Sequence, residues 1–111
     1  MDRASADPDR VVEFRGSLRR GENVFFSLCF IWPRGKLRAS REQLVFDATL
    51  SLQRTILLPR ESVRRIHPAG RFGRALRFEH SVRTQPEYIV FGTWDLENLR
   101  EGLRGLEYPL G

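Results

Sequence analysis

The chain has 111 residues, 41% hydrophobic and 30% charged, with a formal net charge of +5, which gives room for one globular domain and excludes a disordered or fibrous composition. Its longest apolar stretch, Val24 to Trp32, is nine residues interrupted by Ser27, against the roughly 20 that a bilayer-spanning helix needs. A lone cysteine, Cys29, excludes an internal disulfide and a cysteine-built metal site, which suits a reducing, cytoplasmic setting; Met1 to Arg10 lacks the apolar core of a secretory signal, in line with that address.

Residues 1–10 carry Asp2, Ser5, Asp7, Pro8 and Asp9 with no periodic apolar face, so they read as a flexible tail ahead of a domain spanning residues 11–111. Val11, Val12 and Phe14 form a short extended lead-in, and Arg19 to Asn23 reads as a turn. The first long strand is predicted at Val24 to Trp32, its even positions Val24, Phe26, Leu28, Phe30 and Trp32 lining a core. Its odd face, Phe25, Ser27, Cys29 and Ile31, is also apolar and is either covered within the fold or free for association, with a protein partner or as a homodimer.

Pro33-Arg34-Gly35 reads as a turn into a half-buried strand, Lys36 to Ser40, with Leu37 inward. Strands follow at Gln43 to Ala48, with Leu44 and Phe46 on one face, at Thr55 to Leu58, stopped by Pro59, and at Val63 to His67. Ala75 to His80 points Leu76 and Phe78 to the core and Arg77 and Glu79 to water, and Tyr88 to Phe91 is the last strand. A helix over Asp95 to Leu106 closes the pattern, with Asp95 as N-cap, Trp94 stapled onto Leu99 and Gly105 as a left-handed stop. Leu96, Leu99, Leu103 and Leu106 share one stripe of it. Seven strand-like runs and one terminal helix predict a mainly β fold, a seven-stranded antiparallel sandwich or barrel capped by the helix.

Basic residues concentrate in the middle: residues 34–77 carry eleven basic and three acidic side chains, against three and six in residues 78–111. Eighteen of the nineteen basic residues are arginine and are spread over the whole chain, a bias that genome composition alone would also produce. Arg34, Lys36 and Arg38 alternate along one strand and project from one face, where they are candidates for an anionic ligand, with Trp32 at the adjoining tip as a membrane or partner contact. The plainer reading of the same residues is a solvated strand face with Trp32 in the core. A secondary basic patch comprises Arg60, Arg64, Arg65, Arg71 and Arg74. Phe25 and Ile31 are candidate protein contacts.

Nucleic-acid binding would use the same charges, with Phe72 between Arg71 and Arg74 as a stacking residue, but no aromatic RNA-binding strand signature and no basic helix accompany them. His67 and His80 fall on different predicted strands without a carboxylate pair or hydroxyl at motif spacing, and Cys29 sits in an apolar strand. No catalysis, metal or cofactor is therefore expected. Gly70-Arg71-Phe72-Gly73 matches neither glycine-rich phosphate fingerprint.

One ordered set of elements resembles a known family. Phe14 precedes a turn and Glu22; Gly35-Lys36-Leu37-Arg38-Ala39-Ser40 is similar to a glycine-x-leucine-x-x-threonine strand start; Gln43-Leu44-Val45-Phe46, Ile56-Leu57-Leu58-Pro59 and Ser62-Val63-Arg64-Arg65-Ile66 follow; and Phe91-Gly92-Thr93-Trp94-Asp95 leads into the helix. Together, over residues 14–107, they resemble the pleckstrin-homology superfold and, more narrowly, GRAM domains and their bacterial pleckstrin-homology-like counterparts. Ser40 in place of threonine and Arg38 where an aromatic is common depart from the GRAM pattern. The resemblance implies a non-catalytic module that binds protein or lipid head groups, with Lys36-Leu37-Arg38 matching the basic-x-arginine element of lipid-binding members. The leading expectation is a protein-protein interaction adaptor that uses the apolar first strand or the groove beside the helix. The alternative is peripheral binding to an anionic membrane through Arg34, Lys36 and Arg38.

Overall fold

A computed structural model describes residues 11–22, 27–48, 55–69 and 74–110, with the side chains of residues 27–33 outside that description. Among these residues seven strands, β1 (Val11–Gly21), β2 (Ser27–Ser40), β3 (Gln43–Ala48), β4 (Ile56–Pro59), β5 (Val63–Ala69), β6 (Ala75–His80) and β7 (Tyr88–Gly92), precede one α-helix, α1 (Leu96–Gly105). They form a single antiparallel sheet in the order β4-β3-β2-β1-β7-β6-β5, curled into a half-barrel. β1 is the shared strand: it pairs with β2 along most of its length and, from Ser17 to Gly21, also with β7.

The count of seven agrees with the sequence expectation, but the strands are divided differently. The expected lead-in at Val11 to Phe14 and the opening of the expected turn, Arg19 to Gly21, belong instead to the eleven-residue β1; the described parts of the two expected strands on either side of Pro33-Arg34-Gly35 are one fourteen-residue β2, and residues 23–26 lie outside the described residues. The chain does not turn at Pro33. Between the pairs Gly16↔Gly35 and Leu18↔Phe30, β1 advances two residues while β2 advances five, so Pro33 lies in a bulge where its missing N–H costs no ladder bond. Likewise β5 continues through Pro68 to Ala69, because β5 is an edge strand of the sheet.

Three glycines let the two halves of the sheet cross. Gly16 faces Gly35 in the β1–β2 register, and Gly92 ends the β7 ladder opposite Ser17. A Cβ on Gly16 would lie 1.8 Å from the Gly92 carbonyl oxygen, and one on Gly35 would lie 2.8 Å from the Leu18 nitrogen. Backbones meet there with no room for a side chain.

The core is one cluster that includes Leu18, Leu37, Leu44, Phe46, Ile56, Leu58, Ile66, Leu76, Phe78, Ile89 and Phe91. Phe46 of β3 meets Phe78 of β6 edge-on at 4.9 Å and Phe91 of β7 at 6.5 Å, which ties the two ends of the sheet together; each such side chain contributes roughly 1.5–3 kcal/mol by burial. The expected inward positions Leu37, Leu44, Phe46, Leu76 and Phe78 are buried. Leu99, Leu103 and Leu106 of the helical stripe are buried in the same cluster, with Leu96 packed at its edge. The helix lies over β1: a Cβ on Gly102 would rest 3.5 Å from Val12 Cγ2.

The helix ends differ from the sequence expectation. Asp95 holds the N-cap position as expected but makes no side-chain cap bond; its carboxylate instead accepts from Asn98 Nδ2 at 2.9 and 3.0 Å. Thr93 takes up the local satisfaction, its hydroxyl accepting from the Asp95 N–H at 3.3 Å and donating to the Arg15 carbonyl at 2.9 Å. Trp94 does not staple onto Leu99: it is 72% exposed and lies against the Arg74 guanidinium, 5.6 Å from ring centre. The left-handed stop is not Gly105 but Glu107, at φ 65. There the Glu107 N–H donates to the Arg104 carbonyl at 2.9 Å and the Tyr108 N–H to the Leu103 carbonyl at 3.1 Å, the paired bonds of a Schellman stop.

Candidate functional site

Arg34, Lys36 and Arg38 share the outer face of β2, because Gly35, Leu37 and Ala39 between them are buried. The register adds neighbours that the sequence did not place. Lys36 sits between Arg15 of β1 and Asp47 of β3, and Arg38 sits between Glu13 and Val45. Lys36 Nζ lies 3.7 Å from Glu13 Oε2, and the Asp47 carboxylate accepts from the Ala48 N–H at 2.9 Å and from the Thr55 hydroxyl at 3.4 Å.

The surface is therefore mixed: four cations, two carboxylates and, in the row running from Arg38 through Val45, the aliphatic Leu57 of β4. Leu57 is 39% exposed and Val11, opposite Ser40, is 57% exposed. A shallow hollow of about 140 Å³ is lined by Val11, Arg38, Ser40, Gln43 and Val45. Trp32 and Ile31 belong to β2, but their side chains lie outside the described residues, as does Phe25 altogether.

The secondary basic patch does not form one surface. Arg60 opens a 3-10 turn, Arg60–Ser62, and its guanidinium is spent on backbone: it donates to the carbonyls of Arg41 at 3.0 Å, Leu106 at 2.7 Å and Glu107 at 2.8 Å. It also lies 5.2 Å over the Tyr108 ring. A cation at the carbonyl end of a helix is favoured electrostatically, so Arg60 fastens α1 to the sheet. Arg74 sits against Trp94 at the other end of that ten-residue helix, about 15 Å away. Arg64 and Arg65 are exposed on β5, and Arg71 lies outside the described residues.

On the side of the helix facing β5, the chain uses its own residues. The Ile66 N–H donates to the Pro109 carbonyl at 2.8 Å, and Leu110 forms a parallel bridge with Ile66. Tyr108 is buried beneath, its hydroxyl donating to the Ser40 carbonyl at 2.6 Å. Burial, opposed by Arg60 and reinforced by Glu61, pushes that hydroxyl up to about 12.

Sequence reasoning missed the hollow beside the β6–β7 connection, about 810 Å³, lined by Arg20, Glu22, Thr55, Arg83, Thr84, Gln85, Pro86 and Glu87. Its residues come from three distant segments, so no local motif announces it. Two arginines and two glutamates are among them, and burial lowers the Arg20 guanidinium below its usual value. His67 is engaged by Glu79, Nε2 to Oε2 at 2.5 Å. Among the described residues no three His, Cys, Asp or Glu side chains come together as metal ligands, and no helix is long and apolar enough to cross a membrane.

These features define a small antiparallel β half-barrel with one C-terminal helix and a mixed-charge outer sheet face. No protein-family model matches the chain, and no curated protein is significantly similar to it.

Proposed function

We propose that this chain is a non-catalytic binding module of the pleckstrin-homology/GRAM kind, a cytoplasmic adaptor whose partner is a protein segment docked on the outer face of β1–β4. The order of seven antiparallel strands closed by one helix supports the family reading. The observation that carries the partner class is the interleaving on that face. Glu13 flanks Arg38 on the β1 side and lies 3.7 Å from Lys36, Asp47 flanks Lys36 on the β3 side, and the aliphatic Val11 and Leu57 are exposed on the same face. A polyphosphate would meet carboxylates in its site, whereas a polypeptide of mixed charge carrying an aliphatic side chain finds a counterpart for each group.

Peripheral binding to anionic lipid is the second reading, favoured by Trp94, 72% exposed beside Arg74, an arrangement suited to the head-group layer. Two measurements decide between them. Proteins retained by the wild type from its source cells are compared with those retained by Leu57→Asp, by the Arg34→Ala/Lys36→Ala/Arg38→Ala variant and by an Arg100→Ala control on the helix. A partner kept by wild type and control and lost from both face variants supports the adaptor. Vesicle sedimentation that rises with anionic lipid content and disappears in the triple variant or in Trp94→Ala replaces it with the membrane reading.

A further inference from the structure

His80 ends β6, and its imidazole spans the neck of the connection to β7. Nδ1 lies 3.0 Å from the Val82 amide nitrogen, and Nε2 lies 2.7 Å from the Pro86 carbonyl oxygen. An amide N–H can only donate and a carbonyl can only accept, so the two partners together assign one tautomer: a lone pair on Nδ1 and the hydrogen on Nε2. A single neutral side chain thereby ties the entry of the connection, at Val82, to its exit, at Pro86. The segment is also held by Ser81, whose N–H and hydroxyl donate to the Ser62 carbonyl at 3.0 and 3.5 Å, and by a long bond, 3.4 Å, from the Gln85 N–H to the Val82 carbonyl.

We infer that His80 is a protonation-sensitive latch on the residue 81–87 connection. The imidazolium carries a hydrogen on both nitrogens, so it keeps the bond to Pro86 but turns an N–H toward the Val82 N–H, replacing an attraction with a repulsion. The charged groups around it do not offset this. Arg83 and Glu87 line the same 300 Å³ hollow as His80, with opposite signs. On the β5 side His80 pairs with Val63, whose chain neighbour Arg64 is exposed, and the adjacent Glu79, which strand alternation turns to the opposite face, lies beside His67 and pairs in register with Arg65. Across the larger hollow Arg20 and Glu22 again have opposite signs.

Releasing the latch reshapes that larger hollow, because the connection supplies five of its eight lining residues, Arg83 to Glu87. Acid would therefore loosen this rim while the core stays closed, making the module's end sensitive to the pH of its surroundings. The inference stands apart from the docking face proposed above: His80 and its partners Val82 and Pro86 lie on β6 and its connection to β7, whereas that face belongs to β1–β4.

Nuclear magnetic resonance on the whole chain tests it. The imidazole nitrogen shifts of His80 report the tautomer, and hydrogen exchange at the Val82 amide, corrected for its intrinsic pH dependence, reports the latch. The expected result is the Nε2–H tautomer at about pH 7.5 and a loss of Val82 protection of at least about tenfold by about pH 5, with the Phe78 and Ile89 amides unchanged. His80→Asn, whose Oδ1 takes the place of Nδ1 and does not titrate, should keep Val82 protected at both values, and His67→Gln should respond as wild type does. Wild-type Val82 protection that is the same at both pH values overturns the inference without any variant. So does an equal loss in His80→Asn, or abolition of the response by His67→Gln.

Discussion

Replacing Gly16 by alanine adds one methyl group at the point where β1, β2 and β7 meet. That carbon would lie 1.8 Å from the Gly92 carbonyl oxygen, 2.9 Å from its carbon and 3.2 Å from Phe91 Cζ. Opening the first contact from 1.8 Å to the 3.0 Å that real Cβ atoms respect moves the Gly92 carbonyl by about 1.2 Å. Backbone cannot rotate aside as a side chain would. Gly92 pairs with Ser17 on one side and Ala75 on the other, so the shift strains two ladders at once. Overpacking costs about 1–3 kcal/mol and each lost backbone bond about 1 kcal/mol more, which places the total at roughly 3–5 kcal/mol, a large part of the stability of a domain this size. Urea unfolding followed by circular dichroism should show a much lower midpoint, with a fall in Tm of more than about 12 °C. Gly105→Ala is the matched control. Nothing lies within 4 Å of its Cβ and its φ is not left-handed, so the same methyl group should stabilise by about 0.5–1 kcal/mol. A Gly16→Ala protein within about 0.5 kcal/mol of the parent, the ordinary range for an unconstrained surface position, would refute the close crossing.

Three further outcomes follow from the helix end. Glu107→Gly should stabilise by about 1 kcal/mol in the same unfolding assay, because it removes a left-handed non-glycine residue while losing only a 3.9 Å exposed ion pair with Arg60. Arg60→Ala should cost about 2 kcal/mol through its three carbonyl partners, and Arg60→Lys should recover only part, since an ammonium lacks the planar fork. Tyr108→Phe should cost about 1 kcal/mol for its bond to Ser40 and should flatten stability in alkali. The folded hydroxyl is raised from 10.0 to about 12, so the unfolded chain ionises first. The contribution is complete below pH 10 and is lost as pH climbs toward 12, by about 1–2 kcal/mol after solvent screening; an equal alkaline loss in Tyr108→Phe would assign it elsewhere.

Much of the fold was legible wherever a segment carries its own period. Leu44 and Phe46, Leu76 and Phe78, and the leucines of α1 are buried as their spacing implies, since a strand or helix with one apolar face can bury it in only one orientation. β1 carries little apolar alternation of its own through Arg15, Gly16, Ser17, Arg19 and Arg20, so its sequence signals only a short lead-in; it is a strand because β2 and β7 satisfy its backbone from both sides. Within β2, Pro33 and Gly35 carry turn signals, which here serve a bulge and a close crossing. One division too many and one strand too few left the total unchanged at seven.

By itself the sequence determined the mainly antiparallel character, the closing helix and the shared outward face of Arg34, Lys36 and Arg38, all consequences of periodicities within a few residues. Only the tertiary structure decided which charges stand beside those cations, that Arg60 serves the helix end 46 and 47 residues away, and that His80 latches a connection bordering the largest of the hollows described above. Those outcomes depend on which segments are brought together, and a residue's local pattern records its own face without recording what the fold will set against it.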